Sequence, residues 1–202
     1  DEALAIERDT AWRQWPCAVA EYLGLALSNL ALRHTLQIQA RHDPLTDLFN
    51  RRYMEEALER ELRRADRSRR PMGVIMADLD HFKRYNDTLG HDAGDAVLQG
   101  VARVLSGIAR KSDFVARWGG EEFVVALAQT AEAGARVAAE RVRRAIADAR
   151  YLLPSGAEHR ATASVGLASA EGPDWQVDDL LGRADKAMYS AKHRGRNRVE
   201  TA

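Results

Sequence analysis

The stretch RWGGEEFVV, residues 117–125, constrains the fold of this chain more than any other segment. Gly119 and Gly120 separate two apolar runs, a pattern that predicts a β-hairpin. A simple hairpin turn favours Asn-Gly or Asp-Gly, so the turn does not explain the adjacent Glu121 and Glu122. Neighbouring carboxylates repel each other, and a divalent cation would supply the missing positive charge. The sequence therefore predicts a hairpin whose tip carries a functional site.

A second set of carboxylates lies at the end of another apolar run. PMGVIMADLD predicts a central strand that delivers Asp78 and Asp80 at its carboxyl end. Their spacing resembles the start of a calcium-binding EF-hand loop, but Phe82 stands where that loop needs its third oxygen ligand. This excludes a calcium loop of that type. We expect one of the two aspartates to reach a site and the other to have a structural role.

Oxygen atoms are the expected metal ligands in both motifs. The chain has one cysteine, Cys17, and no obvious cluster of histidines, so its carboxylates favour Mg²⁺ or Mn²⁺ over zinc. Gly119 and Gly120 lack a Cβ, which lets a bulky anionic ligand approach the backbone of the turn. A carboxylate-bearing hairpin beside a strand that ends in aspartate predicts a two-metal nucleotidyl-transfer site. A solvated pair of surface glutamates is the alternative for RWGGEEFVV taken alone.

The composition excludes several classes of protein. The 202 residues predict one full domain with an appendage. Because 30 basic residues balance 30 acidic ones, nothing supports non-specific binding of nucleic acid or of a membrane surface. The longest apolar run is far shorter than the roughly 20 residues of a membrane span. A single cysteine rules out an intrachain disulfide and predicts a reducing, cytoplasmic compartment, and a start without Met suggests a piece of a longer protein.

Residues 12–40 are expected to form a helix ahead of the domain. Apolar residues recur along it at spacings of four and three, which predicts a helical stripe that faces a partner. The stripe contains Leu23, Leu27, Leu30, His34 and Ile38, and it is widened by Leu25, Leu32 and Leu36. Two interpretations are open: the helix packs on its own domain, or it is a linker helix that dimerises. A boundary near Arg41 divides the chain into a linker helix, residues 1–41, and a second domain, residues 42–202.

The rest of the chain alternates between helical and strand patterns. A helix at RRYMEEALERELRRADRS can be capped by Asn50. Later helices are predicted at HFKRYNDTLG, DAGDAVLQGVARVLSGIAR, AEAGARVAAERVRRAIADAR and VDDLLGRADKAMYSAKHRG, and further strands at ATASVGLASA and NRVE. From the first core strand onward the order is β-α-α-β-β-α-β-α-β. This order predicts an α/β (α+β) fold in which helices pack on a central, mostly antiparallel sheet.

Five stretches of the chain together match a known family. They are DPLTDLFNRR, DLDHFKRYNDTLGHDAGD, RWGGEEF, ATASVGLA and ADKAMYSAKHRGRNRV, within residues 41–200. This region resembles the GGDEF domain, the catalytic domain of diguanylate cyclases, with RWGGEEF as the glutamate variant of its signature. One departure is Asp47, where the family usually has glycine. The resemblance implies a palm-like fold shared with nucleotidyl cyclases and polymerases, and a reaction that joins two GTP into cyclic di-GMP with release of pyrophosphate.

The resemblance also implies roles for individual residues. Asp78, the backbone of Leu79, Glu121 and Glu122 would hold two Mg²⁺ or Mn²⁺ ions per site, and the three carboxylates would be catalytic. The implied substrate-binding residues are Asn86 and Asp95 at the guanine, Lys83, Lys192 and Arg196 at the triphosphate, and Phe82, Gly119 and Gly120. Taken singly, Asn86 is also typical of a helix cap, Asp95 of a first helical turn, and Lys192 and Arg196 of a solvated helix end.

A separate motif, RKSD, contains Arg110 and Asp113. It has the RxxD pattern that in this family precedes the signature and binds the product as an inhibitor. Arginine can pair with O6 and N7 of guanine through two hydrogen bonds, which gives the motif a mechanism. Arg141, on the following helix, is a third expected contributor. RxxD also arises by chance in an arginine-rich chain.

The resemblance thus implies a product-inhibited diguanylate cyclase that works as a homodimer, with GTP as substrate and no nucleic-acid or membrane partner for this region. The helix ahead of it looks like the end of a sensory domain such as GAF, running into a signalling linker. A degenerate GGDEF domain that acts as a receptor for GTP or cyclic di-GMP is the alternative, although the presence of Asp78, Glu121 and Glu122 favours activity. Asn86 and Asp95 disfavour a third class, another palm-like cyclase or polymerase.

Overall fold

The computed structural model describes residues 19–20, 22–30, 41–172 and 174–202. The chain divides into two compact units, residues 1–40 and residues 41–202. In the first unit, residues 19–20 and 22–30 are helical and are called α1. Cys17 and four positions of the expected stripe, Leu32, His34, Leu36 and Ile38, lie outside the described residues. No helix in the described part of the chain has both the length and the hydropathy needed to cross a bilayer.

The second unit contains eight strands and five helices in its described residues. The strands are β1 (Phe49–Asn50), β2 (Met72–Leu79), β3 (Phe114–Gly119), β4 (Glu122–Leu127), β5 (Tyr151–Leu152), β6 (Glu158–His159), β7 (Ala163–Ala170) and β8 (Val199–Thr201). The helices are α2 (Arg51–Ser68), α3 (Phe82–Leu89), α4 (His91–Ile108), α5 (Glu132–Asp148) and α6 (Val177–His193). Asn50 caps α2 as predicted, because its side chain accepts a hydrogen bond from the backbone N–H of Tyr53 at 3.0 Å.

Six of the strands form one sheet in the order β1-β3-β4-β2-β7-β8. The central strand β2 is antiparallel to both of its neighbours, β4 and β7, and β3 is antiparallel to β4. Only the two edge strands run parallel to their partners, β1 to β3 and β8 to β7. The predicted fold class, a mostly antiparallel sheet flanked by helices, is therefore confirmed.

Helices cover both faces of this sheet, which explains why all eight residues of β2 are buried. Ile75, Ala77 and Leu79 belong to one core cluster together with residues of α4 and α5. Val74 and Met76 point the other way and pack in a second cluster with residues of α2 and α6. Side chains of a strand alternate between the two faces of a sheet. The apolar run that forms β2 thus contributes side chains to both core clusters, one on each face of the sheet.

Three short strands, β1, β5 and β6, were not predicted. Strand β1 pairs with β3, and β5 pairs with β6 in a separate two-stranded hairpin, Tyr151 opposite His159. Each of these strands has two residues, too few to show the alternation by which a strand is recognised. The hairpin is held to the domain by Tyr151, whose buried hydroxyl donates to the backbone oxygen of Ile146 at 2.9 Å.

Candidate active site

The sheet brings the two carboxylate motifs together. In the antiparallel pairing of β2 and β4, Asp78 lies directly opposite Glu122. Next to this pair, the backbone N–H of Leu79 donates to the backbone oxygen of Glu121 at 3.3 Å. The hairpin tip that carries Glu121 and Glu122 therefore lies against the end of the central strand. Gly120 has a φ of 50°, and open space surrounds the positions that a Cβ on Gly119 or Gly120 would occupy.

The carboxylates of Asp78, Glu121 and Glu122 form a cluster. The positive charge near them is too small to balance three ionised side chains. Burial raises the pKa of Asp78, which is 5% exposed, even though Lys192 Nζ lies 2.7 Å from its Oδ2 atom. Burial and then the charge of Asp78 raise the pKa of Glu121. The same two causes raise the pKa of Glu122. Ionising all three side chains is unfavourable without a further cation, so the cluster has the electrostatic character of a cation site.

The side chains are nevertheless not arranged as a closed metal site. Among the described residues, no group of three His, Cys, Asp or Glu side chains is placed to hold a metal ion. The Asp78 carboxylate is instead paired with Lys192. The chemistry of the donors still fits Mg²⁺ or Mn²⁺, which prefer carboxylate and backbone oxygen atoms. The expectation of a magnesium or manganese site thus rests on the oxygen ligands being of the right type and lying close together.

The other aspartate of the strand-end motif has different partners. Strand β2 ends at Leu79, so Asp80 no longer follows its alternation. Asp80 Oδ2 accepts hydrogen bonds from Thr162 Oγ1 at 2.6 Å and from the backbone N–H of Asn197 at 3.1 Å. Its Oδ1 atom accepts from Ser164 Oγ at 2.6 Å. The structure therefore separates the two aspartates as expected, with Asp78 in the carboxylate cluster and Asp80 in an internal network.

The two expected guanine-reading residues lie on neighbouring helices. Asn86 is on α3, and its Oδ1 atom is buried without a hydrogen-bond partner in the described residues. Asp95 is on the exposed side of α4. Gly94, one residue before Asp95, packs directly against Asn86, since a Cβ at Gly94 would overlap Asn86 Oδ1 and lie 3.2 Å from Phe82 Cζ. A buried acceptor without a partner is unfavourable, and among the described residues Asn86 Oδ1 is such an acceptor, packed against Gly94.

Gly94 provides a test of this arrangement. If the chain turns over GTP, as the resemblance implies, Gly94→Ala should raise the KM for GTP roughly tenfold, the cost of about one hydrogen bond, because the new methyl displaces the side chain of Asn86. Gly107→Ala is the matched control on the same helix, where a Cβ meets open space. Its stability should stay within about 1 kcal/mol of the wild type. Steady-state kinetics and thermal unfolding of both variants would check this, and an unchanged KM in Gly94→Ala would contradict it.

The remaining expected substrate residues differ in exposure. Lys83 is exposed on α3, whereas Phe82 is 7% exposed and belongs to a core cluster. Phe82 could therefore offer a ligand little more than one edge of its ring. Lys192 lies in the last turn of α6, and Arg196 follows in the turn after that helix. Arg196 is close enough to the cluster for its charge to oppose the rise in the pKa of Asp78.

Sequence reasoning missed two residues that support the hairpin tip. Arg117 donates to the backbone oxygen of Gly120 through both Nε, at 3.0 Å, and Nη2, at 2.8 Å. Its Nη1 atom lies 3.2 Å from Asp43 Oδ1. The same Asp43 oxygen accepts hydrogen bonds from the backbone and the hydroxyl of Thr46, and although burial opposes it, these contacts lower the pKa of Asp43. The opposite charges of Asp43 in DPLT and Arg117 in RWGGEEF were the only sequence feature that could have suggested this ion pair.

Asp47, the departure from the family pattern, has an explanation in the backbone. Its φ is 58°, in the left-handed region, where glycine is the least costly residue. Aspartate is among the few other residues that adopt this conformation readily. The Asp47 backbone oxygen also contacts His42 Nδ1 at 2.7 Å. The turn is thus the same one that a glycine would make, at a small energetic cost.

The RKSD motif forms a compact turn ahead of β3. The backbone N–H of Arg110 donates to Asp113 Oδ2, and the backbone N–H of Asp113 donates to the oxygen of Arg110, both at 2.9 Å. The side chain of Arg110 is exposed, and so is that of Arg141 on α5. Asp113 therefore shapes the turn itself, while Arg110 and Arg141 are accessible from solvent.

The fold and the convergence of carboxylates at the end of its central strand place this domain in the palm-like class of α+β domains. Residues 40–198 match the family model described as the diguanylate cyclase GGDEF domain, and the chain belongs to this family. The predicted family is thereby confirmed. The match begins at residue 40, and nothing found here supports a GAF-type origin for the helix before it.

Several known proteins are similar to this chain. Diguanylate cyclase DosC of Escherichia coli is 38% identical over 174 residues, or 84% of this chain, and the response regulator PleD of Caulobacter vibrioides is 41% identical over 169 residues, or 83% of it. The chain spans only 37% of the length of either relative. A crystal structure of the coiled coil and GGDEF domain of DgcB from Caulobacter crescentus, in complex with cyclic di-GMP, superimposes with a TM-score of 0.86 and 29% identity over 94% of this chain and 100% of that one.

Proposed function

We propose that this chain is a diguanylate cyclase that condenses two GTP into cyclic di-GMP and releases pyrophosphate. The observation that carries the proposal is the convergence of Asp78, Glu121 and Glu122 at one end of the central strand. Membership of a family whose relatives are named diguanylate cyclases supports it. The test is to incubate the chain with GTP and Mg²⁺, with ATP as the control substrate. Cyclic di-GMP and pyrophosphate should form in a ratio of one to two from GTP alone.

Asp78, the backbone of Leu79, Glu121 and Glu122 are the residues that would hold two magnesium ions. Bound there, the metal would stabilise the negative charge that develops on the phosphate oxygens. Lys192 pairs with Asp78. With a metal ion bound at Asp78, the Lys192 ammonium would be available to the triphosphate, as would the guanidinium of Arg196. Burial raises the pKa of all three carboxyl groups, so a cation would stabilise their ionised forms.

The base would be selected between α3 and α4. The carboxylate of Asp95 can accept hydrogen bonds from N1 and N2 of guanine, and the amide of Asn86 can bond to another edge of the base. Adenine lacks this pair of donors, so the site would prefer GTP to ATP. Lys83 is the remaining cation of the proposed triphosphate site, and Gly119 and Gly120 leave room for the phosphates to approach the backbone of the turn.

The product requires two copies of the domain. Cyclic di-GMP has two-fold symmetry and two phosphodiester bonds, whereas each site would hold one GTP. Two sites must face each other, so that each 3′-hydroxyl meets the other nucleotide's α-phosphate. A symmetric homodimer meets this requirement. Residues 1–41 would be the linker helix that sets the dimer, and residues 42–202 the catalytic domain, of a cytoplasmic protein.

Product inhibition through the RKSD turn is a further part of the proposal. We expect the double variant Arg110→Ala, Asp113→Ala to keep its catalytic activity and to lose inhibition by cyclic di-GMP. Each lost charge-assisted contact to a guanine is worth ~1–3 kcal/mol, so the affinity for the product should fall at least tenfold. Calorimetric titration with cyclic di-GMP would measure this. Lys111→Ala, inside the same turn, is the control, and an unchanged affinity in the double variant would refute the assignment.

One observation favours a second function. The ion pair between Lys192 and Asp78 occupies a carboxylate that catalysis would need for metal. A domain that kept this pair could bind GTP or cyclic di-GMP as a receptor and not turn over. Binding of GTP without formation of cyclic di-GMP, at saturating Mg²⁺ and high protein concentration, would favour the receptor.

A further inference from the structure

Asp80 is the one carboxylate of the strand-end motif that the proposed mechanism does not use. Both of its oxygen atoms are occupied: Oδ2 by Thr162 Oγ1 and the backbone N–H of Asn197, and Oδ1 by Ser164 Oγ. Its own backbone N–H donates to the oxygen of Thr162 at 2.8 Å. Ser164 is fully buried. Asp80 thus joins the end of β2, the start of β7 and the turn that follows α6.

That turn has an unusual backbone. Gly195, Arg196 and Asn197 have φ angles of 114°, 62° and 44°, so three successive residues lie in the left-handed region. For residues other than glycine this conformation is unfavourable and persists only where the surroundings hold it. Backbone N–H groups in turns of this kind can form a concave anion site. The carboxylate of Asp80 is the internal anion that the Asn197 N–H meets.

Arg196 is fixed on both sides by this arrangement. Its own N–H donates to the oxygen of Ala191 in α6 at 3.0 Å, and the next N–H along the chain is the one that Asp80 accepts. From the other side, Arg143 Nη1 donates to Asn197 Oδ1 at 2.7 Å. The backbone of Arg196 is therefore held between the end of α6 and Asp80, the residue that directly follows the central strand.

We propose that Asp80 is a positioning residue that orients Arg196 toward the triphosphate. This inference rests on the proposed function, because it takes Arg196 as a phosphate ligand. It adds the residue that holds the backbone of this arginine close to Asp78, because Asp80 directly follows the strand on which Asp78 lies. Without the Asp80 carboxylate, the left-handed turn loses its internal anion. The arginine then samples several directions, and binding of the phosphates has to restore the order.

The experiment compares two nucleotides that differ in their phosphates. One is α,β-methylene-GTP, which cannot release pyrophosphate, and the other is GMP, which lacks the β- and γ-phosphates. Affinities are measured by calorimetry with Mg²⁺ for the full chain and for Asp80→Ala, Asp80→Asn, Thr162→Val and Arg196→Ala. Asp179→Asn, which removes an exposed charge from the first turn of α6, is the matched control.

We expect Asp80→Ala to bind the triphosphate analogue roughly tenfold more weakly, as for the loss of one charge-assisted hydrogen bond, and GMP within about twofold of the wild type. Asp80→Asn should be intermediate, since its amide oxygen can still accept from Thr162 and Asn197 while Ser164 accepts from its NH₂ group. Thr162→Val leaves Oδ2 with a single donor and should show a smaller loss of the same kind. Asp179→Asn should match the wild type for both nucleotides.

If Asp80→Ala binds both nucleotides equally more weakly than the wild type, or binds neither more weakly, the inference is overturned. If Asp80→Ala does not fold, Asp80→Asn and Thr162→Val decide by the same criterion. Arg196→Ala distinguishes a failure of the positioning role of Asp80 from a failure of the proposed contact between Arg196 and the phosphates. A selective loss in Arg196→Ala without one in the Asp80 variants rejects the positioning role alone. Unchanged affinity in Arg196→Ala, or a wild-type chain that binds neither nucleotide, rejects the phosphate assignment of the proposed function.

Discussion

Replacing Glu121 by glutamine should reduce the formation of cyclic di-GMP by at least about 100-fold, since even the loss of a group that only supports a metal ligand costs 10–100-fold. The amide keeps the shape of the side chain and removes the negative charge. Glu121 lies at the tip of the hairpin, beside the end of the strand that carries Asp78. The measurement is the rate of product formation with GTP and Mg²⁺. Near-normal turnover in a folded Glu121→Gln protein would remove this residue from the reaction.

The stability of the same variant provides the control for folding. Burial and the charge of Asp78 raise the pKa of Glu121, so the folded state disfavours its ionised form. In the absence of divalent cations, Glu121→Gln should therefore lose less stability than the wild type as the pH rises through this raised pKa, with Asp78 and Glu122 accounting for the rest of the loss. At neutral pH the variant should be at least as stable in urea unfolding. Glu56→Gln, an exposed charge on α2, should match the wild type in activity.

Much of the fold could be predicted because its central parts have strong local patterns. The apolar run that ends in Asp78 became β2, and the glycine pair between two apolar runs became the hairpin of β3 and β4. Asn50 could be recognised as a helix cap from residue type and position alone. The predicted contact between strand end and hairpin tip required only that these two strands be neighbours, as they are in the sheet.

The parts that could not be predicted depend on contacts between distant positions. Asp43 and Arg117 are 74 residues apart in the chain, and Asp80 and Asn197 are 117 apart. No local pattern shows that the backbone N–H of Asn197 needs an acceptor, because the left-handed turn around it exists only in the folded state. The hairpin of β5 and β6 lacks a pattern for another reason, since its strands are too short. These supporting contacts become visible only once the topology is known.

Deleting residues 1–40 should make the activity depend steeply on protein concentration. The described part of α1 carries Leu23, Leu27 and Leu30, each between 58% and 64% exposed in the single chain. Apolar residues at spacings of four and three on one helix are typical of a face that pairs with a second helix. Pairing two copies of α1 would bury this face and bring two catalytic domains together. This expectation takes α1 as the dimerising linker helix.

The shortened chain should still fold. Every residue of the two core clusters lies within residues 48–188, so the deletion removes none of them. Residues 41–202 also form a compact unit by themselves. We therefore expect the deletion variant to bind a GTP analogue with an affinity close to that of the full chain. Any loss of activity would then come from the encounter of two domains.

The proposed reaction would need two GTP-loaded sites in one orientation, which is why the loss should be large. Aligning two reactants lowers a barrier by several kcal/mol, and joined domains meet at an effective concentration of about millimolar. At micromolar protein the deletion variant should thus be roughly 100-fold less active, and its specific activity should rise with protein concentration. A variant with Leu23, Leu27 and Leu30 replaced by serine is the matched control, because it keeps the helix and loses the apolar face. Full activity of the deletion variant, independent of concentration down to the nanomolar range, would exclude residues 1–40 from the assembly of the active dimer.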